Sequence, residues 1–334
     1  MVYRLTNTVF YLSSKVLTLL KAGVEMKRWI VFLGVMVHVH LMLHAQQSWE
    51  WLNPLPQGNT LHALSVLSEK KAVSVGGASS IVITEDGGNE WRYIDSLPEG
   101  VGNLYSVDFP DRVHGWCVGE YGTILVSSDS GSIWERQESG VNSSLRTVCF
   151  LNPDTGWTAG DDGVILKTTN GGEQWEMCES GGDYSFNSLF FLTAEKGWAA
   201  SSNGSVLLTR DGGKTWTSGN TGLSRRHNSL FFTSETQGWC TGNNGILLKT
   251  EDGGRNWRKI TSGTNNSLES IVFSNPKTGW IAGADATVIM TTDSGETWRK
   301  SSIEESSFGV KLEYEHLFAV SFKGDSSGWC VGSG

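Results

Sequence analysis

Apolar residues in this chain fall in short runs that recur at a fixed distance, without the spacing of an amphipathic helix. From Leu145 to Ser180 the order is Thr147-Val148-Cys149-Phe150, then Gly156-Trp157-Thr158-Ala159-Gly160, then Val164-Ile165-Leu166-Lys167, then Trp175-Glu176-Met177. Asn152-Pro153, Asp161-Asp162-Gly163 and Asn170-Gly171-Gly172 separate the runs. Each run is strand-length, rich in β-branched or aromatic residues and bounded by turn formers, so the unit predicts four strands joined by tight turns. A helix would need about ten residues at a 3.6-residue period, and no such segment lies within the unit. Forty-one glycines against six prolines suit the same reading.

The unit repeats. Six times the chain spells Ser or Thr, any residue, Asp or Asn, any residue, Gly, two residues, Trp, beginning at Thr84, Ser127, Thr168, Thr209, Thr250 and Thr291. The box tryptophans Trp91, Trp134, Trp175, Trp216, Trp257 and Trp298 follow one another at about 41 residues, a period that marks a solenoid, array or propeller. A Gly-Trp pair keeps the same beat at Trp116, Trp157, Trp198, Trp239, Trp280 and Trp329. Four strands per such period is the content of one propeller blade.

The box residues suit a turn. Asp86, Asp129, Asn170, Asp211, Asp252 and Asp293 can accept backbone N–H bonds, and the following Gly takes the positive φ that other residues resist. Asn170 argues for structure over chemistry, because a neutral amide can make turn bonds but cannot serve as an equivalent acid. The Trp then buries a large face between sheets.

Six complete repeats run from Leu64 to about Ser301, and a seventh begins at Phe318 and reaches Gly334 without a third strand or a box. Ser48-Trp49-Glu50-Trp51 resembles a post-box strand. The expected fold is an all-β, seven-bladed propeller with four-stranded blades. Its last blade is expected to be incomplete, with the N-terminal strand closing the ring against it, since closure removes exposed strand edges.

Ahead of the repeats, Lys27-Arg28, an apolar run from Trp29 to Leu43 and Leu43-His44-Ala45 follow the order of a secretory signal peptide. The expected organisation is residues 1–25 as upstream sequence outside the fold, 26–45 as a signal peptide and 46–334 as the propeller, giving a secreted, periplasmic or cell-envelope protein without membrane insertion after cleavage. The whole chain carries a net charge of −9. Removing residues 1–45 leaves 21 basic and 34 acidic residues, about −13, which disfavours nucleic acid and anionic membranes as partners. The five cysteines are expected as small buried residues.

The boxes are Asp-box (BNR) motifs, and with the Gly-Trp-x-x-Gly phrase at this period the chain resembles the photosystem II stability and assembly factor family of propellers from about Trp49 to Gly334. The resemblance implies a non-catalytic binding or assembly scaffold, monomeric, with a protein partner. Asp boxes also occur in sialidases and xyloglucan-cleaving hydrolases, so a glycan-binding or glycoside-hydrolase propeller is the alternative. Asp161, Asp162 and Glu269 are its candidate carboxylates. No phosphate loop, nucleotide fingerprint or Ser-His-Asp order is present, and the histidines after residue 45 (His62, His114, His227, His316) stand singly, so no cofactor or metal is expected.

A repeat scaffold carries specificity where its registers vary. Eleven residues before the second tryptophan slot stand Leu64, Tyr105, Arg146, Asn187, Asn228, Glu269 and Phe318. The next position is small (Ser65, Ser106, Thr147, Ser188, Ser229, Ser270, Ala319), and two residues past the variable site come Val66, Val107, Val148, Leu189, Leu230, Ile271 and Val320, assigned to the core. Tyr105, Arg146, Asn187, Asn228 and Glu269 are therefore the candidate partner-binding residues at one mouth of the central channel. Tyr314, in the long insertion between Trp298 and Phe318, joins them as a loop candidate.

Overall fold

The computed structural model describes residues 2–7, 47–52, 58–301, 315–323 and 327–333. They form seven four-stranded antiparallel sheets. In blade 3, for example, Leu145–Phe150 is the innermost strand, followed outward by Gly156–Gly160, Ile165–Thr168 and Glu176–Met177. The second strands are fully buried, and the outermost strands are short and exposed.

One aromatic sandwich recurs at the seams between blades. Trp157 of blade 3 lies flat on Phe191 of blade 4 with ring centroids 3.7 Å apart, and the box residue Trp216 meets the same Phe191 edge-on at 6.1 Å. The set Trp198, Phe232 and Trp257 repeats this one blade on. The stack also explains the glycine before each second-strand tryptophan. A Cβ on Gly197 would stand 2.5 Å from the Phe191 ring, and one on Gly238 would stand 2.3 Å from Phe232. Only glycine leaves room for the blade's own phenylalanine.

The small residues of the innermost strands also have a task. Ser106 Oγ accepts the Val148 N–H at 3.2 Å, Thr147 the Leu189 N–H, Ser188 the Leu230 N–H, Ser229 the Ile271 N–H and Ser270 the Val320 N–H. A hydroxyl on each of these blades thus satisfies an innermost-strand amide of the next, a donor that the sheet edge would otherwise leave unpaired. The apolar residues one position on (Val107, Val148, Leu189, Leu230, Ile271, Val320) are buried as expected.

The closing blade departs from the expectation of an incomplete sheet. It has four strands: Leu317–Lys323 innermost, Ser327–Gly332 second, Val2–Asn7 third and Gln47–Leu52 outermost. The ring does close on the 47–52 strand, but the third place is filled by residues expected to lie outside the fold. The register explains the fit. Arg4 pairs with Trp329 as Lys167 pairs with Trp157 and Lys249 with Trp239. Its guanidinium lies 5.8 Å from the Trp329 ring, and the two lysine ammoniums lie 5.3 Å from theirs. Arg4 also donates to Gly87 O in the box of blade 1. The proposed signal segment 26–45 lies outside the described residues, as does the 302–314 stretch with Tyr314.

All five cysteines are free; Cys117, Cys240 and Cys330 are buried, while Cys149 and Cys178 are half-buried.

Candidate functional site

The box acids are consumed by their own turns. Thr209 Oγ1 donates to Asp211 Oδ1 at 2.9 Å and accepts the Gly213 N–H, while the same Oδ1 accepts the Thr215 N–H. Asn170 makes the matching bonds with Thr168 and the Gln174 N–H, so the amide reproduces the carboxylate's geometry. The box glycine sits at positive φ, +96° at Gly213 and +88° at Gly172, where a side chain would be strained. Asp86, Asp129, Asp252 and Asp293 bond in the same way to Thr84, Ser127, Thr250 and Thr291. The box indoles turn inward, and Trp134, Trp216, Trp257 and Trp298 each donate to the carbonyl of their own box glycine. Trp91 and Trp175 occupy the same slot, with Trp91 against Trp329 and Trp175 against Phe150.

At the opposite ends of the blades the innermost strands share an irregularity. Each strand carries one extra residue relative to its neighbour: His62, Tyr105, Arg146, Asn187, Asn228, Glu269 and Phe318. A bulge frees a residue from the alternation of the ladder and re-aims its side chain. Seven bulges at one level place seven side chains around one concavity. These seven and Arg226 line a cavity of about 280 Å³ at the channel mouth.

The structure thus brings Tyr105, Arg146, Asn187, Asn228 and Glu269 together and corrects the member assigned to blade 1. That member is His62, two residues before Leu64, which is buried core. Blade 1 has no second tryptophan. Val73 occupies the slot, pairing with Ser65 as Trp116 pairs with Asp108. Counting eleven back from Val73 reaches His62. Arg226 lies two residues before the ring position in blade 5, outside the repeating register, and nothing periodic marks it.

The mouth is divided. On one side His316 stacks on Phe318 at 4.4 Å, His62 lies 5.6 Å from Phe318, and Tyr105 lies 5.5 Å from His62. These rings make an aromatic crescent over blades 7, 1 and 2. The Arg146 guanidinium ends it, 5.4 Å from the Tyr105 ring. On the other side stand Asn187, Asn228, Arg226 and Glu269.

Most of these polar groups also tie blades together. His62 Nδ1–H donates to Leu104 O, Asn187 Nδ2 to His227 O and Asn228 Nδ2 to Leu268 O, each reaching the innermost strand of the next blade. Arg146 forms a two-point pair with Asp161, Nε to Oδ1 at 2.5 Å and Nη2 to Oδ2 at 2.9 Å. Glu120 accepts from Tyr105 Oη, Asn103 Nδ2 and the Asn103 N–H. Glu269 pairs with His316 Nε2 at 3.2 Å. Arg226 differs. Its Nε donates to Asn228 Oδ1, and no carboxylate lies within ion-pair distance of it among the described residues.

Two of the candidate carboxylates, Asp161 and Glu269, are held toward the ionised form. Burial pushes Asp161 upward, but hydrogen bonds from Arg146 and Ser185 and the charges of Arg146 and Arg226 outweigh it and hold the group below the ordinary carboxylate range. Glu269 behaves alike, its burial outweighed by His316, Ser267 and Arg226. A glycosidase pair needs one carboxyl raised enough to act as an acid, and neither of these is raised.

Comparison with known proteins places this architecture. The model of the family described as photosynthesis system II assembly factor YCF48 matches residues 12–126, 96–182, 183–267 and 255–334. The chain belongs to the YCF48 family. Among solved structures, YCF48 bound to D1 peptide is similar at 22% identity, covering 84% of this chain and 91% of that one, with a TM-score of 0.68. YCF48 from Cyanidioschyzon merolae matches at 21% identity over 84% and 95% of the two chains, also at 0.68. An ancestral GH74 enzyme matches at 17% identity over 67% of this chain and 33% of the enzyme, at 0.55. At these identities the solved structures speak for the fold. No curated protein matches in sequence. Membership of the YCF48 family rests on repeats spread along the chain, and at the bulge ring the chemistry changes from blade to blade.

Proposed function

We propose that this protein is a non-catalytic scaffold of the cell envelope whose channel mouth holds a segment of a protein partner during assembly. The observation that carries the reading is the ring of seven bulges. One side chain from every blade is turned onto a single concavity, with a chemistry that changes from blade to blade while the neighbouring positions stay small or apolar. Such convergence of polar and aromatic groups is what a binding site requires. Membership of an assembly-factor family, and a relative solved with a peptide, support a protein segment as the partner class.

The ionised and paired state of Asp161 and Glu269 favours this scaffold over a glycoside hydrolase. The acidic balance of the chain, −9 overall, argues for a partner surface other than nucleic acid or anionic lipid. The test is capture from the source organism's envelope fraction by the wild-type protein and by Arg226→Gln and Phe318→Leu variants. Loss of the captured protein with both variants is expected. Unchanged capture, with loss on substitution at the box face instead, would overturn the assignment.

A further inference from the structure

The turns between the second and third strands, at the mouth end of the blades, hold a residue in the left-handed region at one shared position. These are Ala78 (φ 51°), Asp162 (φ 56°), Asn244 (φ 58°) and Asp285 (φ 51°) in blades 1, 3, 5 and 6. Small or Asx residues are the types that tolerate this conformation. Blade 2 has Tyr121 there, at φ 57° and ψ 37°. A tyrosine in this region is an outlier that turn chemistry does not explain. Packing does not explain it either, since Tyr121 is 68% exposed, more than any other large apolar or aromatic residue among those described. The ring edge lies over Gly102, and Tyr121 directly follows Glu120, whose carboxylate holds Tyr105. Tyr121 therefore stands on the rim just outside the aromatic crescent.

Backbone strain kept at a surface site points to a use for the side chain. The cavity beneath narrows what that use is. At about 280 Å³ it has room for one large side chain. Its walls are aromatic on one side. On the other side the guanidinium of Arg226 has an amide as its only side-chain hydrogen-bond partner among the described residues. A flat apolar ring with a hydrogen-bond acceptor at its tip complements both walls.

We propose that the mouth takes one aromatic side chain of an extended partner segment, its ring against Tyr105, His62 and Phe318 and its polar tip toward Arg226, with Tyr121 covering the segment as it leaves. The inference deepens the protein-segment reading above and rests on it. The probes are the blocked pentapeptide Ala-Ala-Tyr-Ala-Ala, its Leu counterpart in the central position, and methyl β-glucoside, with binding followed by NMR shifts of mouth residues.

The Tyr peptide is expected to bind about tenfold more tightly than the Leu peptide, the gain of aromatic pairing beyond burial. Phe318→Leu should erase that difference. Tyr121→Asn, which places in blade 2 the residue that blade 5 already uses, should weaken the Tyr peptide about threefold and leave the melting temperature unchanged or higher. Equal binding of the two peptides at the mouth would overturn the aromatic inference and leave the scaffold reading standing. Unchanged Tyr-peptide affinity in Tyr121→Asn would overturn the role of Tyr121. Mouth shifts with the glucoside and with neither peptide would overturn the inference and the protein-segment reading together.

Discussion

Trp157 of blade 3 and Phe191 of blade 4 lie face to face, centroids 3.7 Å apart and planes within 6°. Because Phe191 also touches Trp216 and covers Gly197, one ring joins two tryptophans across a seam. Truncation to Phe191→Ala should cost about 3–5 kcal/mol by opening a cavity. Gly197→Ala should cost about 1–3 kcal/mol by overpacking the same ring. The two changes share one volume, so the double mutant should be less destabilised than the sum. Urea unfolding of the four proteins checks this, and additive losses would contradict the shared-volume account.

The Asp box should behave as a turn device whose backbone geometry a neutral amide can reproduce. Asp211→Ala removes a bond to the Thr215 N–H and one from the Thr209 hydroxyl and should cost about 1–3 kcal/mol. Asp211→Asn should cost less than Asp211→Ala, since Asn170 makes the same backbone turn bonds, and should lose only the charge-assisted contact from the Thr215 hydroxyl. The Thr215 hydroxyl and amide hold Asp211 down to about 2, below its unfolded value near 4. Its contribution is therefore complete above about pH 4 and declines as pH falls toward 2. Melting curves between those limits should show the decline in the wild type and its absence in Asp211→Asn.

These two features were legible in the sequence for the same reason. The box closes within eight residues and recurs in blades 1–6, and the Gly-Trp pair stands six residues after a phenylalanine in blades 2–7, so each keeps its spacing from repeat to repeat. The third strand of the closing blade was not legible. Val2–Asn7 stands far in sequence from Ser327–Gly332 and lacks the box that marks other third strands, so only the pairing of Arg4 with Trp329 reveals it. His62 was missed because Val73 replaces the tryptophan that calibrates the register, and Arg226 because it belongs to no register at all. The mouth itself could be located since bulge residues keep the repeat period, but their bonds to neighbouring blades could not be read from identity. Asn228, read from the sequence as a partner-binding position at the mouth, is 7% exposed and bonded to Leu268 O and Asn243.

His227 should make the molecule acid-sensitive. It occupies the slot that holds Leu104, Leu145, Phe186, Leu268 and Leu317 in other blades, fully buried, with neither ring nitrogen hydrogen-bonded among the described residues. Burial lowers its pKa, with only the Gly204 backbone opposing. The folded state then keeps it neutral while the unfolded chain protonates it near pH 6.5. Stability should be intact above that pH and fall as pH drops below it, down to the depressed folded value. His227→Leu should flatten this part of the profile and raise stability by about 1–2 kcal/mol. A melting temperature that falls equally in both proteins between pH 7 and 5 would place the acid sensitivity elsewhere.

The two arginines of the mouth should separate folding from binding. Arg146 is held at two points by Asp161 and lies over Tyr105, so Arg146→Gln leaves a half-buried carboxylate without its partner and should cost about 1–3 kcal/mol. Arg226 donates one bond, to Asn228, and its loss should change stability by less than about 1 kcal/mol. Partner capture should respond in the opposite order. Arg226→Gln removes a cation that has no carboxylate within ion-pair distance among the described residues, and it should weaken binding about tenfold or more. Arg146→Gln should weaken binding only as far as the Tyr105 wall shifts. Measuring the melting temperature and capture side by side for both variants decides the matter: a large stability loss at Arg226 with binding retained would show that its guanidinium serves the fold.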